Sequence, residues 1–305
     1  MKKTIITFSC IVALAIVGNK AFAQQQVQFT QYMFNQTALN PAYAGIHDGL
    51  SASMLWREQW IGFEGAPSTQ TFSMHSPLMF RSISLGGVIM RDKIGLTSQI
   101  STQLQYAYRI RFGQTKLSFG LQASFSNYRT EYNIDGLVDP TLLNADLNIT
   151  KPNFGSGLLW HGEHFYVGMS VPKLLNQLFD PNNPASQSEL IRHYFFTAGY
   201  VFPIAENIMI KPNFLLKAVQ GAPVQADINV NVLLQNLLWV GVSYRSLDSF
   251  DALVQFQATK SLQIGYAFDF ATTTDLAQVN AGSHEIMINY FFQMPHTRVL
   301  TPRYF

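Results

Sequence analysis

The sequence predicts an all-β transmembrane barrel of the outer-membrane kind, with about 14 antiparallel strands. Three observations carry that reading. The 305 residues are 48% hydrophobic and 13% aromatic, yet only 12% are charged, about half the charged share usual in soluble domains. After the first 23 residues, no run holds the roughly 18 apolar residues that a spanning helix needs. Apolar residues instead recur at every second position, over runs long enough for a tilted strand to cross a bilayer.

Residues 1–23 read as an export signal. Lys2 and Lys3 give a positive start, Ile5 to Val17 an apolar run, and Ala21-Phe22-Ala23 a small-x-small cleavage pattern, with Gln24 beginning the mature chain. Cys10 lies inside the apolar run and not at the cleavage point, which argues against lipid attachment. It is the only cysteine, so disulfides and thiolate chemistry are excluded from the mature protein. Without Lys2, Lys3 and Lys20 the 20 basic residues become 17, against 18 acidic ones. That balance gives nucleic-acid binding no support.

Residues 24–49 lack both the length and the alternation for two more strands. Phe29, Tyr32, Met33, Phe34, Leu39, Pro41 and Tyr43 make them too apolar for disorder. They are expected to plug the lumen or the periplasmic mouth, with Gln31, Asn35 and Asn40 bonding inward groups such as Asn229 and Asn231. A periplasmic segment held by a partner is the alternative.

The barrel is expected over 50–292. Alternation places strands near 50–59, 69–76, 82–91, 97–110, 115–128, 152–160, 164–171, 191–202, 207–218, 223–234, 237–245, 250–259, 262–270 and 283–292. One face of the tenth run reads Val224, Ala226, Ile228, Val230, Val232, Leu234; the other reads Gln225, Asp227, Asn229, Asn231. Phe119, Val230 and Tyr266 belong to the lipid face by this parity. Pro212 falls inside a strand and calls for a bulge or a non-bonding position. Links after even-numbered strands are short; long ones at 61–68, 129–151, 172–190 and 271–282 follow odd-numbered strands. Bacterial barrels show this asymmetry, with periplasmic turns short and outer loops long. An even strand number then places both termini in the periplasm, including the tail 293–305.

Charges in such a wall must face inward or lie at the rims. Arg57, Arg109, Lys116, Lys211, Lys217, Arg245, Asp227, Asp269 and Glu285 are assigned to the lumen, either pairing with one another or lining a charge-selective pore. Trp56, Trp60, Trp160 and Trp239 are read as an interfacial girdle. His161-Gly162-Glu163-His164 lacks the spacing of a helical zinc motif and reads as a solvated turn. Gly86-Gly87 reads as a close-packing site rather than a phosphate loop. G-x-S-x-G and P-loop motifs are missing. The reading is of a protein that is not an enzyme and needs no cofactor. The contacts singled out for lumen or plug are Tyr32, Phe34, Asn35, Asn40, Pro41, Tyr43, Arg57, Arg109, Asp227, Arg245 and Asp269.

Ordered along the chain are Gln31-Tyr32-Met33-Phe34-Asn35-Gln36-Thr37-Ala38-Leu39-Asn40-Pro41-Ala42-Tyr43-Ala44-Gly45, Trp56-Arg57-Glu58-Gln59-Trp60-Ile61-Gly62, Gly65-Ala66-Pro67 and His75-Ser76-Pro77-Leu78. Then follow Arg91-Asp92-Lys93-Ile94-Gly95, Pro152-Asn153-Phe154-Gly155, Arg192-His193-Tyr194, Lys211-Pro212 and Gly282-Ser283-His284-Glu285-Ile286-Met287. This run resembles the PorP/SprF family of the type IX secretion system in Bacteroidetes, over essentially the whole mature chain. The resemblance implies an integral component of the cell outer membrane, in contact with outer-membrane lipid. It implies a role in export or surface anchoring of secreted proteins, such as gliding adhesins. Implied partners are a secreted adhesin or its C-terminal domain, periplasmic ring proteins and a peptidoglycan-linked anchor. The competing function is a passive pore or a transporter of small hydrophobic molecules.

Overall fold

A computed structural model describes residues 27–78, 82–130, 147–178, 189–246, 248–271 and 281–292. The signal segment, most of the links at 129–151 and 271–282, part of that at 172–190, and the tail 293–305 lie outside the described residues. Fourteen antiparallel strands close into one barrel. They are β1 (Leu50–Glu58), β2 (Ser68–Pro77), β3 (Ile83–Ile94), β4 (Thr97–Phe112), β5 (Thr115–Thr130), β6 (Leu147–His161) and β7 (Phe165–Val171). Next comes β8 (His193–Tyr200, continued past Val201 by Phe202–Ala205), then β9 (Ile208–Val219) and β10 (Gln225–Leu234). The last are β11 (Leu238–Arg245), β12 (Ser249–Gln257), β13 (Leu262–Ala271) and β14 (Ser283–Phe292). Each strand pairs with its neighbours in sequence, and β1 closes on β14 from Leu50↔Phe292 to Glu58↔His284. Closure leaves no open edge, which a sheet in hydrocarbon requires because unpaired backbone groups there cost several kcal/mol.

The side chains are inverted relative to a soluble protein. On β5, Leu121 is 62% exposed while its inward neighbour Gln122 is 5% exposed. Phe119, Val230 and Tyr266 are exposed; Ser118, Asn229 and Gly265 are buried. An apolar face this extensive would aggregate in water and is stable in lipid. Ladder length does not stop at the apolar band. β3 runs on to Ile94 and β6 begins at Leu147, because rim residues such as Asp92 and Asn148 continue the backbone pairing.

The strand ends that bound the long links 59–67, 131–146, 172–192 and 272–282 all lie at one end of the barrel. Three links at that same end are nevertheless short: 95–96, 220–224 and 246–248. At the opposite end consecutive strands are joined by links of no more than five residues. We call the two the long-link end and the short-turn end. Pro212 lies beside a break: the β8–β9 ladder runs from His193↔Val219 to Gly199↔Asn213 and resumes at Phe202↔Ile210. A proline has no N–H to give to a ladder, so the interruption falls where it costs least.

Residues 27–49 lie inside the barrel. Three single 3₁₀ turns, Tyr32–Phe34, Gln36–Ala38 and Pro41–Tyr43, fold them compactly. The core of the protein is the contact between this segment and the inner wall: Tyr32, Met33, Leu39, Leu55, Val88, Phe195, Leu253 and Met287 belong to one buried apolar cluster. The segment begins, at Val27 to Gln31, among residues of the long-link end and reaches the short-turn end before β1. The expectation was a segment in the lumen or the periplasmic mouth; residues 27–49 run along the lumen between its two ends. The physical reason is charge: the residues able to hold Thr30 and Gln31 are clustered at the long-link end.

Candidate functional site

The inner wall supplies a charge clamp for the segment. Near the end of β1, Arg57 reaches Asp269 on β13 at 2.6 Å and Glu285 on β14 at 3.2 Å. Its Nη1 also donates to Thr30 Oγ1 at 2.8 Å, and that hydroxyl donates on to Asp269 at 2.7 Å. The Glu285 carboxylate accepts from the backbone N–H of both Thr30 and Gln31, each at 2.8 Å. Arg245, the last residue of β11, binds Asp227 at 2.8 Å and approaches Asp251 and Asp269 at 3.8 Å. Its Nη2 donates to Phe29 O at 3.5 Å. Two guanidiniums thus face four buried carboxylates, and all six side chains are nearly inaccessible. Buried pairs of this kind contribute little net stability against their desolvation, but losing one partner is expensive. What the cluster enforces is place: it ties β1, β10, β11, β12, β13 and β14 to one stretch of chain.

Lower in the lumen the contacts are aromatic and backbone-directed. Phe34 packs against Trp239 with ring centroids 6.0 Å apart, and the Lys211 ammonium stands 4.9 Å from the Phe34 centroid. Such a cation over aromatic faces contributes about 1–2 kcal/mol when water is excluded. Asn35 Oδ1 accepts from Ser73 Oγ at 3.1 Å, and Gln105 Nε2 donates to Thr37 O at 2.9 Å. Asn40 caps the third turn, its Oδ1 accepting from Ala42 N at 2.9 Å, while its Nδ2 donates to Leu158 O on β6 at 3.0 Å. Pro41 at the first position of that turn costs no helical donor. Near the short-turn end, Arg109 donates to Ala44 O at 3.3 Å and Gly45 N donates to His75 Nδ1 at 3.0 Å. Tyr43 is buried and sits edge-on to His75 at 6.1 Å.

Glycines make room. A side chain at Gly120 would overlap Ala42 N and the Pro41 carbonyl carbon, and one at Gly157 would overlap the Asn40 side chain. The segment therefore lies directly against the backbone of β5 and β6. A small cavity of about 20 Å³ remains at the long-link end among Val27, Phe29, Tyr32, Phe195 and Leu215, with Asp227 and Arg245 beside it.

The structure brings all eleven sequence-singled residues to the lumen or the segment within it, though not always as expected. Asn229 and Asn231 are bonded to Asn213 and to each other rather than to Asn35, Asn40 or Gln31. Trp239 is no girdle residue: it is buried, because parity along β11 turns it inward while Val240 and Val242 meet lipid. His161 is the buried last residue of β6 and not part of a turn. Among the described residues no group of three or more His, Cys, Asp or Glu side chains is placed to hold a metal ion. Asp251 and Thr30 were not singled out by the sequence pattern. Asp251 was findable, since it alternates inward with Ser249, Leu253 and Gln255; nothing in the sequence marks Thr30.

Fold and lumen together define an integral outer-membrane β-barrel whose interior is occupied by its own amino-terminal segment. The chain matches the family model for the type IX secretion system membrane protein PorP/SprF over residues 21–290, and it belongs to that family. Among curated proteins no relative matches. Among solved structures it is similar to the Ralstonia pickettii toluene transporter TbuX, with a TM-score of 0.52 at 10% identity, covering 85% of this chain and 93% of that one. It also resembles the Acinetobacter baumannii outer membrane protein Omp33, with a TM-score of 0.46 at 10% identity, over 82% of this chain and all of the other. At such identities the likeness concerns the barrel fold alone.

Proposed function

We propose that this protein is a closed, non-enzymatic component of type IX secretion that helps export or anchor secreted proteins at the cell surface. The observation carrying this reading is the filled lumen: residues 29–46 are almost wholly buried and bonded to the wall from one end to the other. A barrel so filled offers partners its rims and links rather than a passage. In this reading residues 1–23 are removed, the short turns and the tail 293–305 face the periplasm, and the long links face outward. The partners are a secreted adhesin or its C-terminal domain on the outside, with ring proteins and a peptidoglycan-linked anchor beneath. The competing reading is a transporter of small hydrophobic molecules, favoured by the small, partly apolar cavity at the long-link end and by the toluene transporter's similar barrel.

Planar-bilayer conductance together with copurification separates the two. The intact protein is expected to show no steady open channel and to retain an adhesin C-terminal domain. Deleting 24–45 should open a conductance. If the intact barrel conducts steadily and binds no secreted partner, the secretion reading fails. If the deleted form folds yet conducts no more than the intact one, residues 24–49 do not plug the pore.

A further inference from the structure

We infer that the mature chain enters its own barrel from the long-link end, so that its amino terminus and the end of its final strand lie on opposite sides of the membrane. Strand number alone argues otherwise, because fourteen crossings return the chain to the side from which it started. The lumen segment adds a crossing. Its first described residues are held at strand ends that adjoin long-link-end connections. Gln28 Nε2 donates at 2.8 Å to Gln225, the first residue of β10. Phe29 O accepts from Arg245, which closes β11. Thr30 binds Asp269 and Glu285, which flank the link 272–282.

The later residues are held at the other end. Ala44 bonds Arg109, three residues before the end of β4 and its short turn, and Gly45 bonds His75, close to the end of β2. His47 meets Phe291 at 6.0 Å between rings, and Leu50 then opens β1 opposite Phe292. Whatever course the segment takes between, it starts at one end of the lumen and finishes at the other. Only Gln24, Gln25 and Gln26 precede Val27 in the mature chain, a reach of at most about 10 Å. The apolar band of such barrels is about 25 Å tall, so those residues cannot return to the short-turn end. With cleavage after Ala23 and the long links outside, the amino terminus stands at the cell surface while the chain beyond Phe292 stands in the periplasm.

The inference rests on that cleavage and orientation, and its test separates them from it. The mature chain has no cysteine, so single-cysteine variants of the full protein report cleanly. Gln25→Cys, Glu64→Cys in the link 59–67, and Gln114→Cys in a short turn would be probed in intact cells with a membrane-impermeant maleimide, then again after permeabilisation. Glu64→Cys against Gln114→Cys reads the orientation; Gln25→Cys against both reads the threading. Gln25→Cys should label in intact cells to the same extent as Glu64→Cys, with no gain on permeabilisation. Labelling that follows Gln114→Cys overturns the inference, whichever way round the barrel sits. Should Gln25→Cys stay unlabelled in both states, the pair Gln28→Cys and Gln225→Cys decides: capture by a short bis-maleimide supports threading, and failure to cross-link overturns it.

Discussion

Arg57→Met is the most informative single substitution in this barrel. Methionine keeps much of the length and volume but removes the guanidinium that Asp269, Glu285 and Thr30 share at 2.6, 3.2 and 2.8 Å. Two carboxylates would then be buried facing each other. Breaking a buried pair in this way costs about 3–5 kcal/mol. Arg57→Lys keeps the charge but loses the planar fork, so a smaller loss of about 1–3 kcal/mol is expected. The double variant Arg57→Met with Asp269→Asn removes one orphaned charge and should recover part of the loss, since neighbouring sites are not additive. The assay is urea unfolding in lipid vesicles, followed by tryptophan fluorescence and by heat-modified gel mobility. A cost below about 1 kcal/mol for Arg57→Met, or a double variant no more stable than the single one, would refute the argument that this cluster is held by mutual compensation.

Gly120→Val should displace Pro41–Tyr43 while leaving the closed sheet intact, read as a new bilayer conductance with unchanged gel mobility; a silent channel would show that the third turn is not what fills that region. Phe34→Ala removes the ring between Trp239 and Lys211 and should cost about 2–4 kcal/mol, measured as a lowered urea midpoint, whereas Phe34→Trp should cost much less. On the lipid face, Phe119→Arg should cost about 2–4 kcal/mol in vesicle refolding; a neutral outcome would mean that the inward and outward parities are exchanged. Lys173, in the link after β7, is pushed down to about 8 by burial, against the opposing pull of Asp92. Its charge is therefore a cost in the folded state below about pH 8, and that cost is relieved as pH rises towards the ordinary lysine value of 10.5. The urea midpoint should rise over that window by more in the wild type than in Lys173→Met.

The strand pattern was legible because apolar alternation over ten residues, in a chain so poor in charge, fits little besides a strand with one face in lipid. β1 and β14 emerged with almost the expected boundaries for that reason. Ends were less legible where the rims are polar: periodicity fades around Asp92 and Asn148, yet backbone pairing does not depend on it. Trp239 was misassigned because residue type argued for the interface while parity argued for the interior, and packing against Phe34 follows parity. The inward direction of Arg57, Asp227, Arg245 and Asp269 could be read from alternation alone. Their pairing could not. Cross-lumen distances depend on barrel circumference and strand stagger, which no single strand encodes. The identities of Thr30 and Ala44 as hydroxyl and backbone partners were equally hidden, because such bonds leave almost no trace in composition.

The charge clamp also constrains the order of assembly. Thr30 is separated from Asp269 by 239 residues and from Glu285 by 255. Contacts so distant in sequence carry a large loop-closure entropy and slow the folding that depends on them. The first part of the mature chain to be made therefore waits for the last strands before its polar groups can be satisfied. Until β13 and β14 meet β1, Thr30 and Gln31 have no carboxylates, and Arg57 has no partner from the closing strands. A barrel left unclosed, or closed one residue out of register, would present the amino-terminal segment with mismatched charges. The clamp is therefore complete only in the β1–β14 register that sets Arg57 opposite Glu285, since a slip of one residue would turn Glu285 away from the lumen.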